Sequence, residues 1–572
     1  MGPLLFLLVF QIATTHNRMS ALPTPIAKMD AAALRERLAA ASEFALLDVR
    51  EEGVFNTGHV FDAACVPLSH LETRLPRLVP RKETPIVLMD GGDEDLAQLA
   101  ALRMQRWGYT QVSVLHEGLR GWQAAGGAVF SGVHVPSKAF GEFVEAHYHT
   151  PSLDAAQLRA WMDAGKNLIV LDVRPWAEFH DYSVPGAINC PGAELVARAF
   201  DAVKDEHTTI VISCAGRTRG IIGAQSLINA GLPNPVFVLK NGVQGWVLAG
   251  GELERGNARV AAAPTMQGLH RATQAAARVA QHCAVADIDA AQLAALLADR
   301  ADDTRTLYLF DVRTPEAYAA GHLPDFRNAP GGQLVQALDA YVGVRHARIV
   351  LADDTGVQAN MTASWLRQLG WEDVYVLRGG LAQAGRCLQR GEQTGEVLAP
   401  LELAPLELDT ADTISVMQLA ACLERKDGVQ ILDFANSLDY QRGHIPGAWF
   451  AVRSRIHACL QALPPCHHLV LTSADGVFAR LAAGDVARAA GEKKISCLYS
   501  GTAAWQAAGL AVSTGFECMA TTPDDVWHSP FDAQDTTAAM HAYLNWELGL
   551  VAQLEQQGAL PFKVIAFDGS TA

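Results

Sequence analysis

Four stretches of this 572-residue chain superimpose on one another, and that repetition limits the fold more than any other feature. Residues 86–90 (IVLMD), 210–214 (IVISC), 349–353 (IVLAD) and 469–473 (LVLTS) are copies of one apolar run. Each follows an earlier run ending in aspartate, at Asp48, Asp172, Asp311 and Asp433. The aspartate precedes the end of the second run by 42 residues in three copies and by 40 in the fourth. In three copies a tryptophan lies 32 residues further on, at Trp122, Trp246 and Trp505, within 118–122 (GLRGW), 242–246 (GVQGW) and 501–505 (GTAAW). The third copy reads GLAQA at 380–384 instead. So long a period exceeds that of solenoid repeats, and each copy can bury its own core. Within a copy, short β-rich runs alternate with Ala- and Leu-rich helical stretches. That is the pattern of a parallel sheet with helices on both faces and sites at the carboxyl ends of strands. The expected fold class is therefore α/β, with four tandem domains at 26–130, 150–254, 283–392 and 410–514. An N-terminal extension, 1–25, and a tail with a helix, 515–572, complete the chain.

Only the second copy ends its run in a cysteine, Cys214, followed by Ala215, Gly216, Arg217, Thr218, Arg219 and Gly220. A thiol at a strand end with a helix opening behind it faces unpaired N–H groups, the positive end of the helix dipole and two guanidinium groups. Each favours the thiolate and lowers its pKa. The same donors would hold an anionic substrate, so residues 215–220 read as a substrate cradle around a nucleophilic Cys214. The structural alternative is a buried strand-end cysteine, which gains nothing from Arg217 and Arg219.

With these motifs in hand, the chain resembles the rhodanese family of sulfurtransferases in a four-domain tandem form. The resemblance rests on Asp-Val-Arg at 48–50, 172–174 and 311–313, on Gly-His at 58–59, 321–322 and 443–444, on the Cys214 loop and on the Gly-x-x-Gly-Trp segments. It covers roughly residues 26–514; repeat two carries DYSVPGA at 181–187 in place of Gly-His. The resemblance implies that Cys214 takes a sulfane sulfur from a donor, forms a persulfide and passes it to cyanide or a thiol. Thiosulfate is the expected donor, because two loop arginines suit a dianion. A cysteine-dependent phosphatase on a related fold is one alternative. That family spaces its phosphate-gripping arginine as Cys-x-x-x-x-x-Arg, where this chain has Gly220. Another is a persulfide carrier that holds sulfur for a partner and turns over slowly.

Asp172 and Arg174 recur in repeats without a loop cysteine, so they read as an ion pair supporting strand and loop. Glu194 and Arg198 have no copy elsewhere and stand one helical turn apart; they are candidates for the pocket mouth, an ion pair without function being the other reading. Cys190 is either a resolving thiol or a small buried residue. The other loops, Asp90-Gly-Gly-Asp-Glu-Asp95, Asp353-Asp-Thr-Gly-Val-Gln358 and Ser473-Ala-Asp-Gly-Val-Phe478, offer no thiolate, and their domains read as inactive scaffold or docking surfaces. On that reading, removing residues 280–572 leaves sulfur loading detectable.

A net charge of −16 argues against a nucleic-acid groove. Ten cysteines without a CxxC pair, and histidines without ligand spacing, give no metal site, and no cofactor is expected. The expected partners are a small-molecule sulfur donor and a thiophilic acceptor, with a homo-oligomer or a protein acceptor as roles for the inactive repeats. Linkers are expected near 131–152, 252–285 and 392–412, with a helix at 270–282. The apolar run 4–10 is too short to span a bilayer and lacks a preceding Lys or Arg. A cytoplasmic protein without a membrane anchor is the expectation, export being the alternative.

Overall fold

The computed structural model describes residues 25–203, 205–299, 305–384, 388–391, 412–425, 427–558, 560–563, 565 and 567. The apolar N-terminal run and residues 392–411 of the third expected linker lie outside the described residues. Four sheets, each built on parallel strands, follow one another along the chain, one per repeat. In the second repeat the order runs from Ser152–Leu153 through Val236–Leu239, Thr209–Ser213 and Leu168–Asp172 to Ile188–Asn189. The paired runs recognised in the sequence are adjacent central strands, with Asp172 in register with Ser213. Both faces are covered, so the strands are apolar throughout rather than alternating, and Ile210, Val211 and Ile212 are fully buried.

The recurring motifs have separate physical roles. Arg174 donates from Nε to Asp172 Oδ1 at 2.9 Å and from Nη2 to the Tyr182 carbonyl at 2.6 Å, with no side-chain exposure. Arg50 and Arg313 repeat this bidentate grip on Asp48 and Asp311. The fourth repeat has Ala435 in the arginine's place, and burial pushes the Asp433 carboxyl up to about 6. The Gly-His histidines stack on the aromatic ring four residues earlier, at 3.7 Å for Phe55–His59 and 3.8 Å for Tyr318–His322 and Tyr440–His444. They are packing elements, and Ser183 stands at the matching bridge in repeat two.

The repeats are welded together. The first linker forms the helix Val135–Tyr148, whose Phe140 is fully buried in an apolar cluster shared by repeats one, two and three. The second forms the helix Met266–His282, longer than the expected 270–282, packed between Leu195–Ala202 of repeat two and Val357–Gln368 of repeat three. A two-residue strand of repeat three, Val344–Arg345, pairs antiparallel with Phe44 and Ala45 at the edge of the first sheet. Repeat four docks on repeat one through charge: Arg453 donates to both oxygens of Glu72 at 2.8 and 2.9 Å and to Asp485 at 2.9 Å. The tail helix, Thr536–Glu555, packs against Val135–Tyr148, and Trp546 donates to the Ser131 carbonyl at 2.9 Å. No described helix is long and apolar enough to cross a membrane.

Candidate active site

The strand Thr209–Ser213 delivers Cys214 to the mouth of a loop that turns directly into the helix Thr218–Asn229. Behind the loop stands the helix Gly242–Leu248, whose first N–H groups close on it: Val243 donates to the Cys214 carbonyl at 2.8 Å and Gln244 to that of Ala215 at 3.0 Å. This close approach is what the first glycine of the Gly-x-x-Gly-Trp segment serves. Gly242 has φ +54°, and a Cβ there would lie 2.3 Å from the Cys214 carbonyl oxygen. Gly220 has the same kind of role on the other side: a Cβ would meet Val238 at 2.9 Å and the Cys214 sulfur at 3.2 Å.

Cys214 is 2 % exposed. Its thiol donates to the Arg217 carbonyl at 3.6 Å, and the Gly220 amide donates to the sulfur. The expectation of a depressed thiol pKa is corrected. Burial pushes the Cys214 thiol above its ordinary value, and Arg219, the Gly220 amide and Lys138 offset only part of that rise. The unfolded chain therefore ionises at lower pH than the folded one, so this group's contribution to stability falls as the pH rises past 9.0, the ordinary thiol value. In the resting protein, alkylation of Cys214 by iodoacetamide should rise about tenfold per pH unit between neutrality and that value, because only the thiolate reacts. A rate that levels off below pH 7 would refute this.

The two loop arginines point opposite ways. Arg219 donates from both Nη atoms to Glu178 at 2.8 Å each and reaches Gln333 of the third repeat at 3.3 Å, and its charge acts on Cys214. Burial alone would raise the Glu178 carboxyl, but Arg219, Arg174 and Lys138 together hold it below its ordinary value. Arg217 is turned toward the carboxylates of the first linker helix. Its guanidinium grips Glu142 Oε1 and Oε2 at 2.6 Å each, also bonds Glu145, and meets Asn241 Oδ1 at 3.0 Å. These contacts make Arg217 a brace between loop and linker helix.

Thr218 is buried, and its hydroxyl donates to Glu547 Oε1 at 3.4 Å. Glu547, fully buried on the tail helix, also takes Lys138 at 3.3 Å and the Tyr543 hydroxyl at 3.0 Å, all on the same oxygen. Burial pulls the Lys138 ammonium down, yet Tyr543 and Glu547 hold its pKa above the ordinary value, so it stays charged beside the loop. Glu547 Oε2 and Gln244 Oε1 have no hydrogen-bond partner among the described residues, and both residues crowd the backbone of Gly216, where a Cβ would lie 3.4 Å from Oε2. Ala215 is half-buried at the same rim. Lys138, Glu142, Gln244, Gln333, Tyr543 and Glu547 were not singled out from the sequence. The one available signal was a carboxylate set into apolar helical runs, at Glu142 and again at Glu547.

Glu194 and Arg198 form an ion pair of their own. They pair with each other at 3.1 Å, and Arg198 donates to the Ala261 carbonyl at 2.5 Å; no hydrogen bond among the described residues ties either to the Cys214 loop. The pair clamps the second linker. Cys190 beside them is fully buried, and burial pushes its thiol up to about 12.

In the remaining repeats the chain fills its own cradle. Asp90 accepts from the Gly92 and Ala97 amides at 2.9 and 3.0 Å. Asp353 accepts from Gly356 and Gln358 at 2.7 and 3.0 Å, and burial pushes its carboxyl up to about 6. The Ser473 hydroxyl takes the Ala479 amide at 3.3 Å. In repeat two a sulfur stands where those loops place an oxygen, with the Gly220 amide donating to it.

The chain is thus a fourfold α/β protein with one buried loop thiol. The rhodanese-like domain family matches at residues 30–125, 154–249, 289–385 and 416–508. Among solved structures, a thiosulfate sulfurtransferase from Pseudomonas aeruginosa is 45 % identical, covers 95 % of this chain and 100 % of its own, and superimposes with a TM-score of 0.88. The Alr3790 protein from Anabaena sp. is 31 % identical over 18 % of this chain and 82 % of its own, with a TM-score of 0.17. No curated protein matches the chain. Fold and sequence together define the class, a tandem rhodanese-type sulfurtransferase. The chain belongs to the rhodanese family through all four of its repeats.

Proposed function

We propose that the protein transfers a sulfane sulfur from thiosulfate, through a persulfide on Cys214, to cyanide or a thiol. The observation that carries this reading is the loop itself: a single thiol stands against the Gly220 amide under the charge of Arg219 and Lys138, while the equivalent donors of two other repeats are consumed by aspartates. In the first step Sγ attacks the outer sulfur of thiosulfate. The S–S bond breaks, sulfite leaves with its electron pair, and the thiol proton passes to sulfite or solvent. The acceptor then attacks the terminal sulfur and returns Cys214 as the thiolate. Arg219 and Lys138 offset the negative charge that gathers on the departing group. Catalysis belongs to the domain at 150–254, the other three acting as scaffold for its surroundings.

Steady-state thiocyanate formation from thiosulfate and cyanide tests the proposal and separates a turning-over enzyme from a slow persulfide carrier. Hydrolysis of an aryl phosphate should be negligible, and robust phosphate release would reverse the assignment. The arginines should separate cleanly in the same assay. Arg219→Gln should lower kcat/KM for thiosulfate about 10²-fold with little loss of stability. Arg217→Ala should instead lower the melting temperature, costing about 3 kcal/mol, since it strands the buried Glu142 without its partner. Equal thermal stability of Arg217→Ala and wild type would remove Arg217 from the bracing role.

A further inference from the structure

The loop that carries Cys214 is covered by residues from three elements outside its own repeat. Gly141 of the helix Val135–Tyr148 lies so close to the first turn of Thr218–Asn229 that a Cβ there would meet Thr218 Cγ2 at 2.8 Å. On the Gly216 side stands the tail helix Thr536–Glu555: a Cβ on Gly216 would lie 3.3 Å from Tyr543 Cε1 and 3.4 Å from Glu547 Oε2. Gln333 of the third repeat closes on Arg219 at 3.3 Å. With these neighbours in place Cys214 is left 2 % exposed.

The Tyr543 ring is held on several sides. Its hydroxyl donates to Glu547 at 3.0 Å, the Lys138 ammonium stands 5.7 Å from its centroid, and Trp546 and Trp527 flank it at 5.4 and 6.1 Å. Trp546 is tied in turn to the Ser131 carbonyl at 2.9 Å. The loop opens instead toward Arg219 and Glu178, where the Glu178 side chain is 39 % exposed. A reactant coming to the sulfur therefore meets a guanidinium on one side and a fixed aromatic ring on the other. The guanidinium favours anions, and the ring limits size, because a closely packed wall yields little.

We propose that Tyr543 and Glu547 of the tail helix, with Gln333, determine which acceptor discharges Cys214: a small anion no larger than thiosulfate, such as cyanide, sulfite or hydrosulfide, and not a peptide or protein thiol. The proposal rests on the sulfur-transfer reading above and narrows it. In the step concerned the acceptor's lone pair attacks the terminal sulfur of the Cys214 persulfide, the Sγ–S bond breaks, and its electron pair returns to Sγ as the thiolate; an acceptor thiol first gives its proton to solvent. The nucleophile needs room behind the outer sulfur, and the tail helix is what bounds that room on the Gly216 side.

Mercaptoacetate and glutathione both offer a thiol on an anionic molecule and differ in bulk. Full-length protein loaded from thiosulfate and desalted should be discharged by glutathione at least ~10²-fold more slowly than by mercaptoacetate at equal thiolate concentration, read as loss of cyanide-releasable sulfur. Tyr543→Ala should raise the ratio of glutathione to cyanide discharge rates at least ~10-fold, whereas Tyr543→Phe, which keeps the ring and loses only the hydroxyl, should hold the wild-type ratio. Circular dichroism checks both folds, and if Tyr543→Ala does not fold, the unmutated chain decides through its two thiol rates. Alkylation reads the same wall without sulfur chemistry: on the Cys214 peptide, the preference for iodoacetamide over a fluorescein-bearing iodoacetamide should exceed that of free cysteine at least ~10-fold. A chain that shows this alkylation bias but never loads from thiosulfate would overturn the sulfur-transfer reading while upholding the size limit. Equal discharge by the two thiols, a folded Tyr543→Ala that keeps the wild-type ratio, or no alkylation bias beyond that of free cysteine would overturn the proposal itself.

Discussion

Cys214→Ser should fold like the wild type and lose sulfur transfer to the background rate, a drop of order 10³-fold or more, because a hydroxyl in that buried loop stays protonated. The wild-type chain, treated with thiosulfate and desalted, should carry about one cyanide-releasable sulfur, seen as a gain of about 32 Da on the peptide that contains Cys214. The nine described cysteines are all free, so the selectivity has to come from surroundings rather than from pairing. Burial pushes Cys190 and Cys283 up to about 12 despite the charges of Arg198 and Arg367. Loading of two or more sulfurs per chain, or a Cys214→Ser protein that still turns over, would place the chemistry at another thiol.

A chain ending at residue 279 should fail to load sulfur, by at least ~10²-fold relative to the full length, and this reverses the expectation drawn from the sequence. Truncation removes Glu547 and Tyr543, which hold Thr218 and Lys138 against the loop, and Gln333, which meets Arg219. It also strips the helix Val357–Gln368 from Met266–His282, exposing an apolar seam. A loop displaced by about 1 Å loses roughly this much rate. The milder full-length variant Glu547→Ala isolates the tail's part: the buried Lys138 loses its carboxylate, at a cost of about 3 kcal/mol in thermal unfolding. A truncated protein with native circular dichroism that loads one sulfur at the full-length rate would show that the distant repeats and tail play no part at the site.

Legibility in the sequence followed the range of the interaction. Strand, loop and helix around Cys214 are set by contiguous residues, so the apolar run 210–213, the glycines and the helix opening at Thr218 were readable. The Asp172–Arg174 pair closes over two residues and was readable as support for the same reason. Glu194 and Arg198 were readable as a pair one turn apart, yet their destination, the Ala261 carbonyl, lies 63 residues downstream and carries no local mark.

What the sequence determined by itself is the fourfold α/β architecture and the uniqueness of the thiol, since both follow from a pattern that repeats at fixed spacing and is broken once. What only the tertiary structure decided is how that thiol is surrounded. Arg217 is turned away by Glu142, 75 residues upstream, while Thr218 is held by Glu547, 329 residues downstream. Local propensity sets the backbone of a loop, but the direction of a buried charge is set by whichever opposite charge the folded chain brings within reach, and an unpaired ion in that interior would cost several kcal/mol.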